Sequence, residues 1–242
     1  MDRPDLCQPV GLDRQPGRRR AAGRDADRRP RLQDLLDNAY ALHHLTEEEA
    51  KSADILTLAS AAGHPHRPIM FASTSKITYA GAGVAFLAAS TANVAWYLGH
   101  LGNGSIGPDK VNHLRHVEFF GSPQGVREHM VKHREIIAPK FAEVDRVLTE
   151  RLGGRGVATW NTPAGGYFVN LDVVPGTASR VVALAKEAGI ALTPAGSSFP
   201  YKQDPADTNI RLAPTMPPLA EVTSAMEAVA TCVLLAALEQ RA

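Results

Sequence analysis

From residue 37 onward the chain alternates helical-period stretches with short apolar runs, in a regular order. "TEEEAKSADILTLASAAG" reads as a helix: Thr46 stands as its N-cap, acids crowd the first turn, and Ile55, Leu56, Leu58 and Ala59 form the apolar face before Gly63 ends it. "RPIMFAS" reads as a short buried strand and "GVAFLAAS" as another strand, which runs into a helix from Thr91 to Leu101 that stops at Gly102. After the loop "GNGSIGPDK", helical text resumes at Val111, and a long helical pattern covers Pro123 to Leu152 with an expected kink at Pro139. The character then changes. "GVATWNTPAGGYFVNLDV" reads as two strands joined by a Pro/Gly turn, "ASRVVALAKEAGI" as an amphipathic helix, "NIRLA" as a strand, and "PPLAEVTSAMEAVATCVLLAALEQ" as a closing helix. Strands alternating with helices predict an α/β layer over 37–122, followed by a linking helix over 123–152 and a smaller α+β unit over 153–242.

Residues 1–36 stand apart. They hold nine arginines and six aspartates but no lysine, glutamate, histidine or aromatic residue, so this segment cannot build a core and is predicted to be poorly ordered. An arginine-rich arm touching phosphates is one reading of "RQPGRRRAAGR", and a GC-rich message read in a wrong frame gives the same mixture. The rest of the composition narrows the function classes. A formal net charge of +1 leaves no global field for nucleic acid or a membrane surface. Cys7 and Cys232 sit at opposite ends without metal spacing, which fits free thiols and a cytoplasmic chain. The charge-free run from Ile77 to Leu98 is rich in small and hydroxylated residues and reads as strand and helix, with no membrane span expected.

Within this frame the candidate chemistry is sparse. Lys76 stands in "FASTSKITYAGAG", flanked by Ser73 and Ser75; taken alone it reads equally as a solvated loop charge, and the serines as turn caps. Asp37 and Tyr40 lie three apart, with a turn aspartate and a half-buried core tyrosine as their plain alternatives. Arg211 lies inside a short apolar strand, where a guanidinium otherwise lacks a reason. Nine histidines, among them His43 with His44, His64 with His66 and His129 with His133, raise a zinc reading, but no Cys or paired acid completes a shell, and no metal is expected.

Taken together, "DNAYALHHL", "FASTSKITYAGAGVAF", "SIGPDKVNHLRHVEFF", "PAGGYF", "TPAGSSF" and "NIRLAPTMPPL" resemble, in this order, a pyridoxal-phosphate-dependent aminotransferase of the aspartate-aminotransferase fold type. The nearest resemblance is to the actinobacterial-style aspartate aminotransferases grouped near the MocR-type proteins. The resemblance covers residues 37–242. It implies an α/β fold: a partial large domain of the pyridoxal-phosphate-dependent transferase fold type I, plus a C-terminal α+β small domain. It implies that Lys76 forms the Schiff base with pyridoxal 5'-phosphate and moves the substrate proton, with burial among hydroxyls tuning its amine. Asp37 then supports the pyridine nitrogen, Tyr40 the ring oxygen, and Ser73 and Ser75 the phosphate, while Arg211 takes the substrate carboxylate. The arginine that many members place several residues after the lysine is absent from "ITYAGAGV". Lys110 and Arg115 fall where relatives draw contacts to a second carboxylate. The resemblance also implies an amino acid, aspartate-like in preference, and a 2-oxo acid as substrates, and a homodimer where the fold is completed.

Complete members carry a further N-terminal half with a glycine-bearing phosphate loop, a ring-stacking aromatic and an Asn-Pro-Gly segment. Residues 1–36 show none of these, and "RLQDLL" lacks strand-like text before Asp37, so the chain is expected to be N-terminally incomplete. The alternatives are a noncatalytic remnant or regulator of the same family, and a nucleic-acid binder acting through the arginine-rich arm.

Overall fold

The computed structural model describes residues 33–49 and 52–241, so the expectations for the arginine-rich stretch through residue 32, and for Cys7, lie outside the described residues. The chain falls into two compact units that divide between Lys132 and His133.

The first unit is built on a three-stranded sheet in the order β1 (Asp34–Asp37), β2 (Pro68–Ser73), β3 (Ala85–Ala89). β1 runs parallel to β2, with Leu35 opposite Ile69 and Asp37 opposite Phe71. A parallel neighbour needs a crossover, and helix α1 (Ile55–Ala61) lies in it. β3 returns antiparallel, with Ser73 opposite Ala85. The strand β1 corrects the reading of "RLQDLL". Four residues at a sheet edge are too short to announce themselves by pattern, and β1 is held by main-chain pairing and by Arg67, whose Nε lies 3.0 Å from Asp34 Oδ2.

Thr46 is not the helix cap either. Its hydroxyl donates to the Glu48 carbonyl at 2.8 Å, and α1 starts nine residues later. Asp54 caps it, accepting the Thr57 hydroxyl at 2.6 Å and the Thr57 main-chain N–H at 3.0 Å. The Thr57 hydroxyl, followed by its N–H, holds the Asp54 carboxyl below the usual carboxylate range. Asp54 serves because it adjoins Ile55, where the apolar face of the helix begins.

Helix α2 (Thr91–Gly104) is capped by Ser90 and runs past Gly102 to Gly104; none of its residues is buried, and Trp96 is 64% exposed. Helix α3 (Lys110–Phe120) is capped by Asp109, which accepts the Asn112 N–H at 3.0 Å. Helix α4 (Pro123–Leu152) continues through Pro139 as one element and crosses the division between the units.

The second unit carries an antiparallel sheet ordered β4 (Ala158–Trp160), β5 (Val169–Val173), β6 (Asn209–Leu212). Val144, Val147 and Leu148 of α4, Leu171 of β5 and Ile210 of β6 are buried in its core. Helix α5 (Ala178–Glu187) packs on helix α6 (Leu219–Glu239), and Arg180 ties them by donating to Glu239 at 2.7 and 2.9 Å. Among the described residues α6 is the one helix long and apolar enough to cross a membrane, but Val222, Met226, Val229 and Val233 on it are core residues of this unit. Cys232 on the same helix is a free, buried thiol, pushed up by that burial. Trp160 donates its indole N–H to Asp145 Oδ1 at 2.9 Å.

Candidate active site

The carboxyl ends of the parallel pair β1 and β2 face the same edge of the first sheet, the place where open α/β sheets bind ligands. Asp37 ends β1 and is exposed there, with Oδ1 accepting the Ala39 N–H at 3.1 Å in a tight turn. Ser73 ends β2. The chain then makes the turn that bears Lys76: the Ile77 and Thr78 N–H groups both reach the Thr74 carbonyl at 2.9 Å, and the Thr78 hydroxyl reaches it at 3.1 Å. Ser75 and Lys76 are exposed on this turn, so the expected burial of the lysine among hydroxyls is not met. A turn with one side open to solvent offers hydroxyl neighbours without enclosing the side chain.

The returning chain fits closely. A Cβ at Gly83 would stand 2.4 Å from Ser75 Oγ, so a larger residue there would have to displace that hydroxyl. Thr74 N–H donates to the Val84 carbonyl at 2.9 Å, and Val84 N–H returns to Thr74 Oγ1 at 2.8 Å. Beside the turn opens a largely apolar groove of about 610 Å³, bounded by Thr74, Val84, Phe86, His116, Phe120 and Val126.

Tyr40 is half-buried, edge-on to His43 with ring centres 5.2 Å apart. His43 Nε2 in turn reaches the Lys76 carbonyl at 3.1 Å. The loop after Asp37 and the lysine turn are thus connected through one imidazole. His116 and His129 also touch the turn, at Thr74 Oγ1 (2.8 Å) and the Ile77 carbonyl (3.0 Å). These three contacts were invisible in the sequence, where the partners lie 33, 42 and 52 residues apart. Among the described residues no group of three His, Cys, Asp or Glu side chains is placed to hold a metal ion. Lys110 and Arg115 are exposed on α3.

Arg211 belongs to the second unit. It sits on β6 opposite Asn170, with its guanidinium carbon 4.6 Å from the centre of the Phe168 ring. Its Nε is buried and has no hydrogen-bond partner among the described residues, an orphaned donor of the kind an incoming carboxylate satisfies. The loop ahead of β6 is organised by Asp204, which accepts the N–H groups of Ala206, Thr208 and Asn209 at 3.0, 2.8 and 2.9 Å. Burial pushes this carboxyl up, but the N–H groups of Thr208, Asn209 and Ala206 outweigh it and hold the group below its ordinary value. Its stabilisation is therefore full above the unfolded value of about 3.9 and is lost as pH falls through the lower folded one. Asp204→Ala is expected to cost about 2 kcal/mol in urea unfolding, with the deficit shrinking in acid; an equal deficit at pH 7 and pH 2 would contradict the assignment.

A family model described as aspartate amino-transferase matches residues 6–242. The chain belongs to the aspartate aminotransferase family. An aspartate aminotransferase of Corynebacterium glutamicum is 57% identical over 213 residues, which are 88% of this chain and 49% of that one. A protein of Mycolicibacterium smegmatis bearing an aminotransferase name is 63% identical over 205 residues, 85% of this chain and 48% of that protein. The crystal structure of an aspartate transaminase from Corynebacterium glutamicum superposes with a TM-score of 0.84 at 58% identity, covering 87% of this chain and 50% of that one. The fold is thus a partial pyridoxal-phosphate-dependent transferase fold of type I, and aminotransferases of this fold use pyridoxal phosphate. The chain spans about half the length of the curated relatives it matches.

Proposed function

We propose that this chain carries the lysine-bearing part of an aminotransferase site, which moves an amino group between an aspartate-like amino acid and a 2-oxo acid. The observation that carries the reading is the placement of Lys76 on a hydrogen-bonded turn at the carboxyl end of β2, beside the end of the parallel strand that bears Asp37. The donor set fits pyridoxal phosphate at two ends: a primary amine for the aldehyde and a carboxylate for the ring nitrogen. The phosphate end is met by the Ser73 and Ser75 hydroxyls, with Gly83 leaving room behind the latter, and by main-chain N–H groups.

When bound, the cofactor supplies an aldehyde carbon and a ring that accepts electrons. The protein's part is to place groups around it. Lys76 Nζ would hold the cofactor by its aldehyde carbon and, once the incoming amine had displaced it, would be the base that takes up the substrate Cα proton. Asp37 would hold positive charge at the ring nitrogen, and Tyr40 would offer its phenol to the ring oxygen. Arg211, stacked on Phe168, would take the substrate carboxylate with its planar fork and so orient the Cα–H bond.

The test is amino transfer from aspartate to 2-oxoglutarate, followed as glutamate formation that requires the chain, both substrates and pyridoxal phosphate. Bound cofactor with identical near-visible absorbance in the parent and in Lys76→Ala, and no glutamate, would favour a noncatalytic relative and overturn the reading.

A further inference from the structure

We infer that His43, His116 and His129 are positioning residues, three imidazoles that fix the main chain on both sides of Lys76 and so aim its amine. The inference rests on the reading of Lys76 as the reactive amine. Its basis is the direction of each hydrogen bond. A carbonyl oxygen only accepts, so the Nε2–H of His43 donates to the Lys76 carbonyl at 3.1 Å, and the Nε2–H of His129 donates to the Ile77 carbonyl at 3.0 Å.

His116 is wired the other way round. Its Nδ1 faces the Asn112 carbonyl at 2.9 Å and must carry the proton there, which leaves Nε2 of the neutral ring as an acceptor. Thr74 Oγ1, 2.8 Å away, donates to it while accepting the Val84 N–H. The Thr78 hydroxyl donates to the Thr74 carbonyl, so every hydrogen in this group has one direction. The rings come from three separate elements: the loop after β1, α3 and α4. Each also meets an aromatic ring: Tyr40 edge-on to His43, Phe120 tilted against His116, and Phe119 and Phe120 edge-on to His129.

A lysine has four flexible side-chain bonds, and an exposed one searches widely. Fixing the carbonyls at positions 76 and 77 and the hydroxyl at position 74 removes the main-chain part of that search, which raises the effective concentration of the amine at one place. The chain holds seven lysines, and the clamp gives one of them a preferred direction.

The test replaces each histidine in two ways. Glutamine keeps a hydrogen-bonding group near the position of Nε2, whereas leucine keeps bulk and loses the bond; Thr74→Val removes the hydroxyl that His116 takes. Two readouts apply to the 242-residue chain. The first is amide hydrogen exchange at Ile77 and Thr78 without cofactor. The second is the distribution of label over the seven lysines after limiting pyridoxal phosphate and borohydride, mapped by mass spectrometry. The leucine variants and Thr74→Val are expected to speed exchange at the turn and to lower the Lys76 share of label relative to the other lysines, each by about tenfold, the factor one hydrogen bond carries. The glutamine variants are expected to restore both. Parent-like exchange and labelling in the leucine variants would overturn the inference, as would glutamine variants no better than leucine ones. If the parent chain itself shows no preference for Lys76 while the leucine variants still speed exchange, the reading of Lys76 fails and the inference falls with it.

Discussion

Lys76→Ala is expected to lower amino transfer from aspartate to 2-oxoglutarate by about 10²–10⁴-fold, the range a positioned general base contributes. On the proposed reading alanine removes both the nucleophile and the base, and no second amine lies on the same turn: the sequence from Ser73 to Gly83 contains one lysine. Lys76→Arg separates charge from chemistry. A guanidinium keeps the positive charge at the carboxyl end of β2 but is not a usable nucleophile, so it is expected to be as inactive as alanine. The rate ratio is to be read within one background, the chain as it stands or the chain joined to the portion of the Corynebacterium relative that it does not cover. A variant within tenfold of its parent in either background would show that another group moves the proton.

Leu171→Ala is expected to destabilise the second unit by about 3 kcal/mol, read from the urea midpoint at unchanged slope. Leu171 is fully buried on the middle strand of its sheet, opposite Trp160 on one side and Ile210 on the other. Removing three carbons there leaves a cavity that two flanking strands cannot both close, whereas Leu171→Met keeps the volume and is expected to cost less than about 1.5 kcal/mol. The loss also bears on Arg211, because Ile210 adjoins it on β6 and the guanidinium depends on that strand for its place over Phe168. Equal midpoints for the alanine and methionine variants would mean that the strand relaxes onto the vacant space.

Long periodic segments were readable from the sequence because helix and strand periods repeat often enough to outweigh local noise. The 30-residue helix α4 and the amphipathic α5 are of this kind, and so are β2 and β3, whose apolar runs end at hydroxylated residues. Short elements were not. β1 has four residues and exists through its pairing with β2, and α1 is capped by Asp54 in place of the expected Thr46 because its apolar face begins at Ile55. At the site, an amine, a carboxylate and a planar cation were readable as residue types in order, but each alone was ambiguous and their roles rested on the resemblance. What was not readable is how the lysine turn is held, because imidazole-to-carbonyl bonds across dozens of residues leave no trace in spacing.

The chain's two tryptophans fall one in each unit, and their surroundings differ. Trp96 stands on α2 with most of its surface in water, while the Trp160 indole is half-buried and tied to Asp145. Fluorescence therefore gives each unit its own optical label. A soluble quencher such as iodide is expected to reach Trp96 first, while emission from Trp160 reports on its contact with Asp145 of α4. Trp96→Phe and Trp160→Phe resolve the two signals, so the melting of one unit can be watched while the other remains folded.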